Sequence, residues 1–444
     1  MKICFVALGA YPLFDPTVCG PAGGMEFQSW TFARALARRG MIDISFLVRD
    51  HGQAAVSTFD GIKVYARREP LATQVRRVFR AVSSNKATTA ALPTRSKFNL
   101  PQVVRLPFRG LRSAARLISQ ALRNVPAGDA LYERIGADVF VTFGVNEISA
   151  EVVAACRRQG RKSILYLASD SDLDEVFACR SDESREDGVR AADGHYVLRH
   201  ADQIVVQSHD QLARLESRFG RSGPVIANPI DLDADETGGA PAPPDVASAI
   251  GRGPFILWVG RSDPVYKRPD LCLDLAVRLP QVRFVMVMAP MDREYHAMLK
   301  RRRPANVEII DGLPLRAMPH LFRAALALVS TSSREGFPNV FLQAGKFGIP
   351  VVSLNVDPDL IFADRGVGVA CHGRLDLMVE AVEQLVAKPG RRRHYAGRLA
   401  DYVREFHGLE QLCDELCETI DAVAGMGRQS IPQLATTADS KLCA

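Results

Sequence analysis

The chain is expected to fold as two α/β domains, each a doubly wound parallel sheet, facing one another across a central cleft. Three observations lead there. Its 444 residues exceed what one ordinary core holds and suit two. Short apolar runs alternate with longer helical segments twice over, as βα units do. Between the two series, residues 231–253 are rich in Ala, Pro, Gly and Asp and lack an apolar period, as a linker would. With 47% hydrophobic and 24% charged residues the chain is too apolar to be disordered. Runs such as 255–259 and 284–290 are far too short for a spanning helix.

In the first series, residues 3–8 read as a buried strand, 24–39 as a helix and 42–48 as a second strand; 138–143, 163–168 and 203–207 follow as strands. The run at 3–8 reads as a strand and not a leader, because it is brief and Tyr11-Pro12 and Gly23-Gly24 follow where a nucleotide-type loop would sit. The second series has strands at 255–260, 284–288, 307–310, 327–330 and 351–354, then helical stretches through 375–386 and 393–423. The expected division is a first domain at 1–230, a linker at 231–253, a second domain at 254–424 and a polar tail at 425–444. Ligands in such sheets bind at the carboxyl ends of the strands, which puts the chemistry in the cleft.

Charge is unevenly placed. The whole chain carries +6, yet residues 67–124 hold thirteen basic residues against one acid, Glu69, so that segment carries +12 and the remainder −6. After Pro107 and Gly110, Leu111, Ala114, Ala115, Ile118 and Leu122 recur at helical spacing with Arg112, Arg116 and Arg123 between them. A cationic amphipathic helix suits an anionic membrane surface, and the same spacing fits a helix packed on its own domain. Only Phe79, Phe98 and Phe108 interleave these cations, which disfavours nucleic acid. The nine cysteines are scattered and include no C-x-x-C pair. A disulfide framework and a zinc site are not expected; a reducing compartment is.

Two motifs carry chemistry. Trp258-Val259-Gly260-Arg261 ends a strand, and Lys267 follows six positions on. A planar guanidinium and a point ammonium at a strand terminus suit a diphosphate. The second motif, Ser332-Ser333-Arg334-Glu335-Gly336-Phe337-Pro338-Asn339-Val340-Phe341-Leu342-Gln343-Ala344, follows the strand at 327–330. Gly336 permits close approach of backbone to a ligand, and Pro338 fits the start of a helix. The free N–H groups of Asn339 and Val340 would then face a phosphate. Glu335 stands where it could accept hydrogen bonds from sugar hydroxyls, and Gln343 lies one turn past Asn339, within reach of a ribose.

This pattern resembles the retaining GT-B-type glycosyltransferases of family four, whose signature is a glutamate, seven residues and a second glutamate. Here the first is Glu335 and the second position holds Gln343. The family's phosphate-binding pair falls on Arg261 and Lys267, and its amino-terminal glycine loop on Gly23 and Gly24. The stretch 201–208 through Asn228-Pro229 is similar to the family's last amino-domain unit. Two departures stand out: Gln343 keeps an acceptor without the charge, and the family's His-Asp is replaced by 168–174, Ala-Ser-Asp-Ser-Asp-Leu-Asp. The resemblance therefore moves the donor-sugar or acceptor contact to Ser169 and Asp170. The Asp170-Ser171-Asp172 triplet also fits a metal-binding D-x-D, although Arg261 and Lys267 already supply positive charge.

The resemblance implies a GT-B architecture and transfer of a sugar from a nucleotide-diphosphate donor to a hydroxyl acceptor with retention. Arg261, Lys267 and Glu335 would be the catalytic set. Gly23, Gly24, Gly336, Phe337, Pro338, Asn339, Val340 and Gln343 would bind the donor. No metal or other cofactor is expected. With the basic insert, the expected acceptor is a glycan or lipid-linked sugar in cell-surface polysaccharide assembly, at the cytoplasmic face of a membrane. A non-catalytic nucleotide-sugar-binding scaffold is the other reading.

Overall fold

The computed structural model describes residues 1–18, 23–68, 129–234, 237 and 239–425. The first domain is built on a seven-stranded sheet of β1 (Lys2–Val6), β2 (Asp43–Arg49), β3 (Val56–Phe59), β4 (Ile62–Arg67), β5 (Val139–Phe143), β6 (Lys162–Tyr166) and β7 (Gln203–Val205). Their order is β3-β4-β2-β1-β5-β6-β7, all parallel except β3, which runs antiparallel to β4 at the edge. β5 is buried from end to end, and β1 and β2 are buried apart from their terminal residues, because helices cover both faces.

The hairpin of β3 and β4 was not among the expected strands. Its turn is Asp60-Gly61, both with positive φ (48° and 81°), the dipeptide that a two-residue hairpin demands. The basic segment expected at 67–124 lies outside the described residues, apart from Arg67 and Arg68. Arg67 ends β4, is buried, and pairs with Glu151, which also accepts from Tyr132 Oη (3.0 Å).

The second sheet has six parallel strands: β8 (Ile256–Arg261), β9 (Phe284–Ala289), β10 (Val307–Ile310), β11 (Ala327–Ser330), β12 (Val351–Ser353) and β13 (Val369–Ala370), in the order β10-β9-β8-β11-β12-β13. One face packs under Phe322, Phe341, Leu342, Phe362 and Leu399, the other under Cys272, Leu275, Leu299, Met378 and Leu385.

Two segments depart from the expected division. Residues 231–253 are not all linker: a helix at Pro244–Gly251 buries Val246 and Ala249 in the second core, its proline at the first turn. The final helical stretch is broken in two, Pro389–Phe406 and Leu409–Gly425. The first half packs on the second domain through Leu399 and Val403. The second half crosses back and lays Leu412, Cys413, Leu416, Ile420 and Val423 on the first sheet beside the helix Gly24–Arg39. Arg39 closes that contact with Glu410 (2.7 Å) and Asp414 (2.5 Å). The 254–424 boundary thus fails at its carboxyl end, because an apolar stripe records that a helix is covered and not by which domain.

The chain therefore passes between the domains twice, at 228–231 and at 406–409. The crossings are tied together: Ile230 N–H donates to His407 O (3.0 Å), and His407 Nδ1 lies 2.8 Å from Asn228 O. No helix among the described residues is long and apolar enough to cross a membrane.

Leu416 is fully buried against the first sheet. Leu416→Ala should lower the stability of the transition that unfolds the first domain by about 2–5 kcal/mol in urea denaturation. An unchanged transition would show that the last helix does not stabilise that domain.

Candidate active site

The carboxyl ends of β6 and β7 face those of β11 and β12 across a cavity of about 590 Å³. Asp170, Ser208, Asp210 and Arg214 line it from the first domain; Ser333, Glu335, Gly336, Asn355 and Asp357 line it from the second. Most of this surface is charged or hydrogen-bonding, which suits a hydrophilic ligand. Another cavity, of about 430 Å³, sits by Ala325, Pro350 and Arg393 at the amino ends of β11 and β12, away from the sequence motifs.

Glu335 enters the cleft from the loop after β11 and forms an ion pair with Lys267. The two loops are stitched together beneath that pair. Trp258 Nε1 donates to Thr331 Oγ1 (2.9 Å), which donates to Lys267 O (3.0 Å), and Ser333 N–H donates to Tyr266 O (2.8 Å). Asp263 shapes the turn from below by accepting the N–H groups of Val265 (2.9 Å) and Tyr266 (3.0 Å). The turn ends at Arg268, whose φ of 47° is unusual for a non-glycine residue. Arg261 stands at the end of β8, half exposed, with its guanidinium 4.0 Å from Asp263. It is not among the residues lining the cavity.

The helix Asn339–Lys346 begins with Pro338 as its cap residue, so the amino-terminal N–H groups of Asn339 and Val340 lack intrahelical partners. The Asn339 carboxamide joins the domains. Its Nδ2 donates to Gly24 O (2.8 Å), and its Oδ1 accepts from Asn228 Nδ2 (3.2 Å). A Cβ on Gly24 would stand 2.8 Å from Asn339 Nδ2, so a side chain there would force the two apart. Gly23 N–H donates to Glu26 (2.9 Å), which fixes the start of the helix Gly24–Arg39. Gln343 is buried at 8% exposure, and its Oε1 has no hydrogen-bond partner among the described residues.

In the loop after β6 the two carboxylates of the Asp170-Ser171-Asp172 triplet are used differently. Asp172 is buried and accepts the N–H groups of Val145 (2.8 Å), Ala168 (2.7 Å) and Ser169 (3.1 Å), with Arg185 3.6 Å away. Those contacts make it a backbone clamp. Asp170 faces the cavity and accepts from Arg214 (2.8 Å) and Gln211 (3.1 Å). Burial raises its carboxyl above the usual range, and Arg214 works in the opposite direction. Ser169 is engaged locally, its Oγ accepting Ser171 N–H (3.3 Å) as a cap.

The structure thus joins Lys267 with Glu335, Asp170 with Glu335 and Gly336, and Gly24 with Asn339. It leaves Ser169 in a local turn. Sequence reasoning placed Gln207 and Asn228 only within the stretch similar to the family's last amino-domain unit, without a role at the site, and missed Gln211, which lies in the helix after β7. It also missed Asp359, which accepts the N–H groups of His209 (3.0 Å) and Asp210 (2.9 Å) and so caps a helix of the opposite domain.

Comparison with known proteins bears on the fold and on the second domain. Residues 246–401 match the family model for glycosyl transferases group 1. The match covers the loops of the second domain that carry Arg261, Lys267 and 335–343. A D-inositol 3-phosphate glycosyltransferase of Kribbella flavida is 24% identical over 433 residues, covering 91% of this chain and 92% of that protein. One of the same description from Mycobacterium leprae is 29% identical over 220 residues, 46% of this chain; the chain spans about half the length of that relative. Among solved structures, a sucrose-phosphate synthase of Thermosynechococcus elongatus superposes with a TM-score of 0.65 at 14% identity, over 96% of this chain and 99% of that one. An α,α-trehalose 6-phosphate synthase of Burkholderia multivorans gives 0.63 at 12% identity, over 96% and 99%. The fold is GT-B.

The crossing beneath this site has its own titration. His407 is fully buried, and burial pushes its imidazole down to about 4, while its hydrogen bond to Asn228 O works weakly the other way. The native state holds it neutral; the unfolded chain takes up a proton near pH 6.5. Its contribution is therefore complete above about pH 6.5 and declines as pH falls toward 4, by up to about 3 kcal/mol. The stability advantage of wild type over His407→Gln should shrink between pH 7 and 4.5 in denaturant titrations. A gap that stays constant would mean His407 is protonated alike in both states.

Proposed function

We propose that the chain is a retaining glycosyltransferase that moves a sugar from a nucleotide diphosphate to a hydroxyl acceptor. The observation that carries this is the Lys267–Glu335 pair, stitched into adjoining loops at the carboxyl ends of β8 and β11, beside a helix amino-terminus. The group 1 match over the same residues supports it.

In this reading the diphosphate lies between Arg261, Lys267 and the free N–H groups at Asn339 and Val340. As the bond from the anomeric carbon to the phosphate oxygen breaks, negative charge gathers on that oxygen. Two cations and a helix dipole aimed at it lower the barrier. Glu335 accepts hydrogen bonds from the sugar hydroxyls, and its ion pair with Lys267 holds it in place. The Gln343 carboxamide, whose oxygen has no partner among the described residues, reaches the ribose. The acceptor hydroxyl attacks from the face that the diphosphate leaves and passes its proton to the departing phosphate oxygen, which gives retention without a covalent intermediate.

The cations supply the charge that a metal would, and Asp172 is committed to backbone donors, so transfer proceeds without a divalent ion. Asp170, held by Arg214 and Gln211, contacts the transferred sugar or the acceptor. The acceptor is a glycan or a lipid-linked sugar of cell-surface polysaccharide, reached at the inner face of the membrane with the basic segment 67–124 docked on anionic lipid. Flotation with anionic liposomes at low salt tests the docking; protein left unbound would remove it.

The donor reading is tested by thermal stabilisation with UDP-, GDP-, ADP- and dTDP-sugars. One nucleotide should stabilise wild type by about 2.7 kcal/mol at roughly a hundredfold excess over its dissociation constant. Arg261→Ala and Lys267→Ala should each abolish most of that shift. No stabilisation by any of the four would overturn the donor site.

A further inference from the structure

Two glutamines of the first domain press against the loop that carries Glu335. Gln207 follows β7 and Gln211 lies four residues on, in the helix His209–Phe219; they are 3% and 0% exposed. Both ends of each side-chain amide are engaged. Gln207 Oε1 accepts Phe337 N–H (3.0 Å), and its Nε2 donates to Gln28 Oε1 (3.4 Å). Gln211 Oε1 accepts Gln207 N–H (2.9 Å), and its Nε2 donates to Asp170 Oδ1 (3.1 Å).

The direction of this string is fixed. A peptide N–H can only donate, so Phe337 requires the oxygen of Gln207, and the Gln207 peptide requires the oxygen of Gln211. The amide nitrogen of Gln211 is then the end left for the Asp170 carboxylate. The string therefore runs without interruption from the second domain's loop to the first domain's carboxylate. Gly336 lies against it: a Cβ there would fall 2.3 Å from Gln207 Oε1 and 2.7 Å from Gln211 Nε2. Both obstacles are buried and hydrogen-bonded, so neither has free space to swing into.

We propose that Gln207 and Gln211 are positioning residues, which set Glu335 at a fixed span from Asp170 when the domains meet, and that position 336 is glycine because of them. Gln211 holds Asp170 from behind; Gln207 holds the peptide two residues past Glu335. Neutral amides suit the task. Each offers an oxygen to one peptide N–H and a nitrogen to a second acceptor, and both hold their hydrogen bonds at any pH at which the protein is folded. The kinetic consequence rests on the glycosyltransferase reading; the packing consequence does not.

Two experiments on the full-length chain separate these. In thermal denaturation, Gly336→Ala should lower Tm by about 4 °C or more in wild type and by less than half as much in a Gln207→Ala background, where the colliding oxygen is gone. Equal drops in both backgrounds would overturn the contact. In the second, nucleotide diphosphate release is followed with whichever of UDP-, GDP-, ADP- or dTDP-glucose stabilises wild type. Gln207→Leu should cut kcat by about tenfold or more with KM for the donor little changed. Gln207→Glu, which keeps an acceptor toward Phe337 N–H, should restore most of the rate. A loss confined to KM, or an equal loss in both variants, would overturn the positioning role. Stabilisation by none of the four sugars would sink the glycosyltransferase reading, while the Tm comparison would still decide whether the glutamines hold the loop.

Discussion

Two parallel sheets that meet at their carboxyl ends bring together loops full of peptide groups, and every such group buried by the meeting must find a partner. That constraint organises this molecule. Phe337 N–H, Phe337 O and Gly24 O all lie where the domains approach, and each is met by a carboxamide from the other domain: Gln207, Asn228 and Asn339. A buried peptide group left unpaired costs about 1–3 kcal/mol, more than the net gain from a typical hydrogen bond. The seam is therefore closed only in one register, and that register places Glu335 opposite Asp170.

The same seam explains why apolar packing is confined to the crossings. The two sheets have separate cores, and the described apolar clusters follow the domains except where the last helix returns to the first. At the cleft itself the contacts are hydrogen bonds and ion pairs such as Arg334–Asp174 (3.3 Å). Water can replace such contacts at small net cost, whereas it cannot replace an apolar interface. A site that must admit a donor and release a product is served by a wet seam and a dry hinge. His407, buried with Phe337 4.4 Å from its ring, belongs to the hinge, which is why it is held neutral.

Much of the fold was legible in the sequence because parallel strands buried on both faces are written as short, nearly uninterrupted apolar runs. Ile3, Cys4, Phe5 and Val6 could be little else. The Glu335–Gln343 segment was legible for a different reason: glycine, proline and a carboxylate at fixed offsets after a strand describe a loop and helix start locally. What stayed hidden is non-local. The antiparallel hairpin was passed over although its Asp60-Gly61 turn was visible. The return of Leu409–Gly425 to the first sheet could not be read, since Leu412, Leu416 and Ile420 would look the same against either domain. The stretch that holds Gln207 and Asn228 was visible, but not their task, which lies in peptide groups 130 and 109 residues away; Gln211 meets Asp170, 41 residues before it.

Asp359 shows how far the seam reaches into backbone conformation. Asp359 and Leu360 both take left-handed dihedrals (φ 48° and 54°), each unfavourable by about 1–2 kcal/mol for a residue with a Cβ. Such a pair persists only where its surroundings over-determine it. Here Asp357 holds the turn from its own domain by accepting the N–H groups of Phe362 (2.8 Å) and Ala363 (3.2 Å), and the other domain adds to it: the Asp359 carboxylate accepts two amino-terminal N–H groups of the helix His209–Phe219, the helix that also carries Gln211 and Arg214. A charge-assisted cap on a helix amino-terminus gains from the helix dipole as well as from its hydrogen bonds, enough to offset two strained residues. The loop after β12 and the helix after β7 thus hold each other in shape.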